Sequence, residues 1–327
     1  MTRNISENGS LIRQRGYGAI KGQRWTLTVR NQVLQRSISK MEKNDRENMD
    51  VEKRENRAVT ESLTRIKGEA FCERTVLCIP RHFTRIGEEA FRENQRIERL
   101  EVPKIVTCIG ERAFYGCSAL KRVSLPGTLE KLGKGCFAEC PTLQEVYIPS
   151  SLRRLPEAVF QSDVELKNIH FIKESQLIFI DANAFQGCKK LEHIEIPDSI
   201  RKIGDWAFCK CKKLQEFRFP KELVTIGKKA FSGCNIRKLH LPDKLCYIGE
   251  DAFSKNHYLR EVVLPESVKS IENGAFRSCI RLQAVEIRHD PEVLGERIVN
   301  GNTAIRCYPG SKVEEYCKAA GIRVEYL

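Results

Sequence analysis

Residues 117–137 read CSALKRVSLPGTLEKLGKGCF, and this stretch holds the plan of most of the chain. Val123 and Leu125 alternate with Arg122 and Ser124, the pattern of a short strand with one buried face. Pro126 ends it, because proline lacks the donor that a strand ladder needs. The chain then turns. A second extended segment carries Leu129 and Leu132 inward, Gly133 permits a bend, and the segment around Phe137 has room only for a turn or one or two turns of helix. A unit of about 23 residues cannot bury its own apolar side, so copies must stack and each column of equivalent positions becomes a layer of one core.

The copies extend in both directions. A phenylalanine, usually preceded by alanine, recurs at Phe71, Phe91, Phe114, Phe137, Phe160, Phe185, Phe208, Phe231, Phe253 and Phe276, at spacings of 20, 23, 23, 23, 25, 23, 23, 22 and 23 residues. An Ile or Leu stands five residues before each, from Ile66 to Ile271. Prolines keep the same beat at Pro80, Pro103, Pro126, Pro149, Pro197, Pro220, Pro242 and Pro265; the 25-residue unit carries FIKESQ instead. The pattern predicts an α/β repeat solenoid over residues 61–290, an open right-handed coil of about ten units, strand-rich with short helical turns.

Segments such as LEHIEIPDSIRKIGDWAFCKC and LREVVLPESVKSIENGAFRSC resemble the BspA-like leucine-rich repeats of bacterial and protist proteins. The likeness runs from about residue 61 and takes in the ending, TAIRCYPGSKVEEYCKAAGIRVEYL, which is similar to the module that closes many bacterial members. That module, residues 291–327, is expected to hold a last strand, a helix over about Lys312–Ala320 and a final strand. Ser311 suits the helix N-cap, Glu314 lies three residues on, and Gly321 follows the last turn. The first 60 residues read as a hairpin cap around Trp25, Leu27, Val29 and Val33–Ile38, then a polar stretch from Glu42 to Thr60 that is a solvated linker or a marginal helix. The resemblance implies macromolecular binding and, for some bacterial relatives, adhesion at the cell surface.

Lys and Arg total 56 of the 327 residues against 43 Asp and Glu, a net charge of +13 that favours anionic partners without naming one. No apolar run approaches the length of a membrane-spanning helix, so membrane insertion is not expected. Neither a secretion signal nor a sorting motif is legible, which points to the cytoplasm, whereas the resemblance points to the cell surface or secretion. Fourteen cysteines are spread along the chain, and Cys117, Cys140, Cys188, Cys211, Cys234 and Cys279 fall three residues after a column Phe, where other units place Arg74, Asn94, Asp163 and Asn256. Packed reduced thiols are the favoured reading. A metal site and a ladder of stacked disulfides are the alternatives, although neither the CKC at Cys209 and Cys211 nor Cys136 with Cys140 has the second pair of a structural zinc module.

No catalytic motif appears, the array has almost no insertions in which to build a pocket, and neither an enzyme nor a cofactor is expected. Function is sought instead on the solvent side of the main strand, where alternation turns Glu101, Ser124, Tyr147, His170, Glu195, Arg218, His240, Val263 and Glu286 outward in register, with Glu145, Asn168, His193, Glu216 and Lys238 two residues earlier. Tyr147, His170, His193, Glu195, Arg218 and His240 are the candidate binding face, because they combine aromatic area with hydrogen-bonding groups. A stripe roughly 20 Å long across five coils is expected, open enough for a protein or other macromolecule. Residues 186–244 hold 14 Lys and Arg against 7 acids, and stacking predicts a basic ridge of Lys189, Lys190, Lys212 and Lys213. Nucleic acid is disfavoured as its client, since no aromatic stacking platform accompanies the charge. A scaffold without a specific ligand is the competing reading of the face.

Overall fold

The computed structural model describes residues 62–63 and 75–327. The expected N-terminal hairpin and linker, Phe71 and the unit around Ile66 lie outside them. Every strand pairing is parallel and links equivalent positions of successive units, as when Ser124 faces Tyr147 and Tyr147 faces His170. Two strand rows run along the coils, as the repeat demands.

The main row holds Val76–Cys78, Arg99–Glu101, Arg122–Ser124, Glu145–Ile148 and Asn168–Phe171, then resumes with Leu239–His240, Glu261–Leu264, Ala284–Ile287, Ala304–Cys307 and Val324–Tyr326. Between them, residues 191–197 and 214–220 keep the alternation of buried and exposed side chains but form no strand. Thus Ile194, Ile196, Phe217 and Phe219 are buried as expected, whereas the expected unbroken stripe of strands through His193, Glu195 and Arg218 is not made. The gap follows the 25-residue unit and contains Phe217 and Phe219, where the coil of Glu261–Leu264 has Val262 and Leu264. These rings pack edge-on against Phe231 at 4.7 and 5.3 Å and take more width than an aliphatic side chain.

The second row pairs Ser62–Leu63, Arg85–Ile86, Cys108–Ile109 and Lys131–Leu132, and separately Arg154–Leu155 through Phe179–Ile180, Lys202–Ile203, Thr225–Ile226, Tyr247–Ile248 and Ser270–Ile271 to Val293–Leu294. Its break has a covalent reason. Gly133 N donates to Ile109 O at 2.7 Å, but Pro156 stands at the next equivalent position and has no N–H to give. Gly133 itself is required for space: a Cβ there would run into the backbone of Gly110 and Glu111.

The phenylalanine turns form a third ladder. In successive coils the residue two before the Phe, the Phe and the residue two after it donate to carbonyls of the next coil, as in Arg112 N to Lys134 O, Phe114 N to Cys136 O and Gly116 N to Ala138 O, at 2.8–2.9 Å. The flanking residues hold positive φ in coil after coil, among them Arg112 at 49°, Trp206 at 60° and Lys210 at 63°. That alternation aims three N–H groups the same way, while intervening residues such as Tyr115 close turns within their own coil. Inside the ladder, the rings from Phe91 to Phe276 stack in one file with centroids 5.1–5.8 Å apart. All are buried, as expected of the widest part of the core.

The column cysteines are packed thiols. Each donates to the carbonyl of the Phe one coil earlier: Cys117 to Phe91, Cys140 to Phe114, Cys188 to Phe160, Cys211 to Phe185, Cys234 to Phe208 and Cys279 to Phe253, at 3.1–3.2 Å. Asn256 does the same through Nδ2, reaching Phe231 O at 2.9 Å. Asp163 is the exception. Its Oδ1 accepts from Cys140 N at 2.8 Å, its Oδ2 is buried without a partner, and burial pushes its carboxyl well above the usual range.

The repeats continue past residue 290. Val293–Leu294 pairs with Ser270–Ile271, and Phe276 N donates to Ile298 O, which puts Val299 where another Phe would stand. The closing helix α1, Lys312–Ala320, begins on Ser311, whose hydroxyl accepts from Glu314 N at 3.2 Å, and ends at Gly321 with φ 67°. Glu314 binds Lys318, Tyr326 and Gly310 N, which hold its carboxyl down at about 2.

Candidate binding face

The outward column behaves as the alternation predicts at most positions. His170, His193, Glu195, Arg218, His240 and Val263 are exposed and Tyr147 is half-buried; Glu286, expected to face solvent, is buried beneath Arg288, whose Nε lies 2.6 Å from its carboxylate. The strand breaks divide these residues among two ladders and an unpaired stretch.

Tyr147 and His170 sit opposite each other on Glu145–Ile148 and Asn168–Phe171. Their rings stack at 4.6 Å. Glu145 organises the pair: it accepts from Tyr147 Oη at 3.0 Å, contacts His170 Nε2 at 3.1 Å and takes Arg122 Nε at 2.7 Å. Burial opposes the ionisation of Glu145, but the hydrogen bonds of Tyr147 and His170 and the charge of Arg122 prevail and hold its carboxyl below the usual range. The result is a rigid aromatic platform. His193 and Glu195 follow on the unpaired stretch, and Arg218 leans on Asp198 at 3.0 Å.

The basic ridge is half neutralised. Lys190 meets Glu165 at 2.7 Å and Lys213 meets Glu192 at 2.6 Å, so of the expected four only Lys189 and Lys212 remain without an acidic partner among the described residues. Unpaired positive charge gathers elsewhere, in an open groove of about 1030 Å³ on the coils of Leu239–His240 and Glu261–Leu264. Arg237, Lys238, Arg260 and Arg281 line it with Tyr258, His240 and Val263. All of these except His240 fell outside the six face residues picked from the sequence, because alternation singles out strand positions and Arg237, Tyr258, Arg260 and Arg281 precede the strands. A signal was present, since Arg237 with Arg260 and Tyr258 with Arg281 are each 23 residues apart, one coil.

Among the described residues, no group of three or more His, Cys, Asp or Glu side chains could hold a metal ion, and no helix is long and apolar enough to cross a membrane. The chemistry offered is that of a surface: ring faces, guanidinium groups and free hydrogen-bonding edges.

The family profile described as a BspA type leucine rich repeat region matches residues 50–167 and 178–306 in six copies. No curated protein matches the chain. Among solved structures, a leucine-rich repeat protein from Eubacterium ventriosum is 23% identical, the match covering 51% of this chain and 44% of that one at a TM-score of 0.49. The chain thus spans less than half the length of that protein. A leucine rich cell surface protein from Faecalibacterium prausnitzii is 21% identical over 65% of this chain and 69% of its own, with a TM-score of 0.48. A leucine-rich repeat protein from Bacteroides ovatus is 22% identical over 77% and 83%, with a TM-score of 0.34.

Proposed function

The chain belongs to the BspA type leucine-rich repeat family, and on that premise we propose that it is a non-enzymatic module that binds a protein partner through the exposed face of its main strand row. One observation carries the reading. Buried columns repeat a narrow choice of residue, Phe in the turn and Ile or Leu in the second row, whereas the outward column runs through Glu101, Ser124, Tyr147, His170, Glu195, Arg218, His240 and Val263. Stacking needs uniformity inside and leaves the outside free to be written for a partner. The Tyr147 platform supplies the rigid aromatic area on which interfaces concentrate their energy.

Affinity capture with the intact chain as bait yields the partner to test. Tyr147→Ala with Arg218→Ala should then weaken binding by more than about 2 kcal/mol while the melting temperature stays nearly constant. Unchanged affinity would return the face to the role of scaffold. Fractionation of the native organism separates two settings of the same reading: recovery at the surface makes the module an adhesin, recovery from cytosol an intracellular binder.

A further inference from the structure

The array neutralises a set of its surface lysines in one way. Lys121, Lys134, Lys190, Lys213, Lys228 and Lys244 each meet a glutamate of an adjacent coil at 2.6–2.9 Å. Such pairs are worth little singly, but they cancel the repulsion that stacking like charges would create. The groove beside Leu239–His240 departs from this habit. Arg237, Lys238, Arg260 and Arg281 line one concavity, and none has a carboxylate within ion-pair distance among the described residues. The four cations outnumber the carboxylates of the same lining, and a concave surface of net positive charge is a standing attraction for an anion.

The groove is also organised. The Tyr258 ring lies between two guanidinium groups, 5.7 Å from that of Arg237 and 5.1 Å from that of Arg281, so cation–π contact restrains both arginines before anything binds. Val263 is 54% exposed in the same lining and presents a bare apolar side chain. Asp243 and Glu261 share the lining, Glu261 held by Arg306 at 3.3 Å. A uniform polyanion, whether nucleic acid or sulfated glycan, would press charge against those two carboxylates. A base would also compete with two arginines for the Tyr258 ring.

We infer that this groove binds an extended acidic peptide segment of a protein partner, its carboxylates on Arg237, Lys238, Arg260 and Arg281 and an apolar side chain against Val263. The inference rests on the protein-binding reading above and gives that partner its chemistry. Arginine forks donate to carboxylates in two-point contacts, and the mixed lining suits a chain that alternates charge with apolar groups and carries its own N–H donors.

The test uses the full chain and a fluorescein-labelled peptide repeating Asp-Glu-Leu, followed by anisotropy at about 0.15 M salt, where charges beyond roughly 8 Å are largely screened. Binding should be saturable, and the peptide's Asn-Gln-Leu counterpart should not bind. Arg237→Ala with Arg260→Ala and Arg281→Ala should weaken the acidic peptide at least about tenfold, as hot-spot arginines do. Lys212→Glu with Lys213→Glu should change it less than about twofold, since the ridge lies on other coils. All of these side chains are exposed, and an unchanged melting temperature certifies each variant; Arg260→Gln gives a milder control with the same expected direction. The proposal falls if the peptide does not bind, if the groove variants bind it as well as the parent, or if an oligothymidylate or a heparin hexasaccharide binds the groove more tightly. Should the peptide fail while Tyr147→Ala with Arg218→Ala still abolishes binding of the captured partner, the groove is wrong and the face stands. Should neither set of substitutions affect that partner, both readings fail together.

Discussion

The turn side and the strand side of each coil are built from the same number of layers, yet only one is continuous. From Glu89 to Ile298 the phenylalanine turns pass hydrogen bonds from coil to coil without interruption, including Phe185 N to Ala207 O at 2.7 Å and Phe208 N to Ala230 O at 2.8 Å, where the main strand row has no ladder. The strand rows each break, the second between Leu132 and Arg154 and the main one between Phe171 and Leu239. The breaks fall at different coil boundaries, so no boundary lacks both rows. Fixed stacking geometry is therefore held by the aromatic turns, and the strand face is spared from carrying it. That division lets the exposed face vary and even lose its regular bonding while the core keeps its spacing.

The largest test of this division is Phe208→Ala, which removes one ring from the stacked file and should cost about 3–5 kcal/mol in urea unfolding. A loss below about 1 kcal/mol would mean that the turns do not carry the stack. Asp163 probes the same column electrostatically. Its folded carboxyl is raised above 3.8 by burial, so the folded state binds the proton more tightly than the unfolded chain. Stability is then greatest below the unfolded value and declines as pH rises from it toward the raised folded value. Asp163→Asn, which supplies the donor Asn256 supplies in its own coil, should raise the melting temperature at neutral pH and leave it unaltered in acid. A destabilised variant at neutral pH would refute the upward shift of the Asp163 carboxyl.

Phe217→Leu with Phe219→Leu asks whether the aromatic pair opens the main row. It should cost about 1–2 kcal/mol of packing yet slow amide exchange across residues 215–219, because narrower side chains let the strands pair. Unchanged exchange would shift the cause to the 25-residue unit. Lys210→Gly relieves a left-handed lysine and should gain about 0.5–1 kcal/mol after the entropy of glycine is counted. The smallest effect is none at all: with thiols bonded to carbonyls, melting curves with and without a mild reductant should coincide.

The fold was legible because its determinants are columns of apolar residues, and a Phe every coil with Ile or Leu five before it is visible in one dimension. The closing helix was legible from Ser311, Glu314 and Gly321 for a similar reason, since caps are local chemistry. The left-handed positions beside each Phe were not. They are filled by Arg112, Trp206, Lys210 and Asp251 as well as by glycine, and residues so unlike one another leave no compositional trace. The breaks in the strand rows were hidden too, because alternation survives in LQEFRFP while its strand pairing does not. The coil after residue 290 leaves no such trace, because Val299 stands in place of its phenylalanine. At the surface, period two turns Glu145, Tyr147 and His170 outward but shows neither the role of Glu145 as their hub nor the groove arginines, whose meeting depends on side chains reaching between coils.

The 25-residue unit holds a lesson about growth. Between Phe160 and Phe185 the chain spends two residues more than the usual 23, yet the two rings lie 5.6 Å apart, inside the range of every other pair. The surplus is absorbed near Ile172–Glu174, an exposed stretch past the end of the strand Asn168–Phe171. Length in this molecule is thus counted in layers and not in residues. Copying errors that add or drop amino acids at such a corner leave the pile intact, so a lineage can lengthen its loops there by trial, and an engineer can graft a foreign epitope between Ile172 and Glu174 with the neighbouring layers still in step.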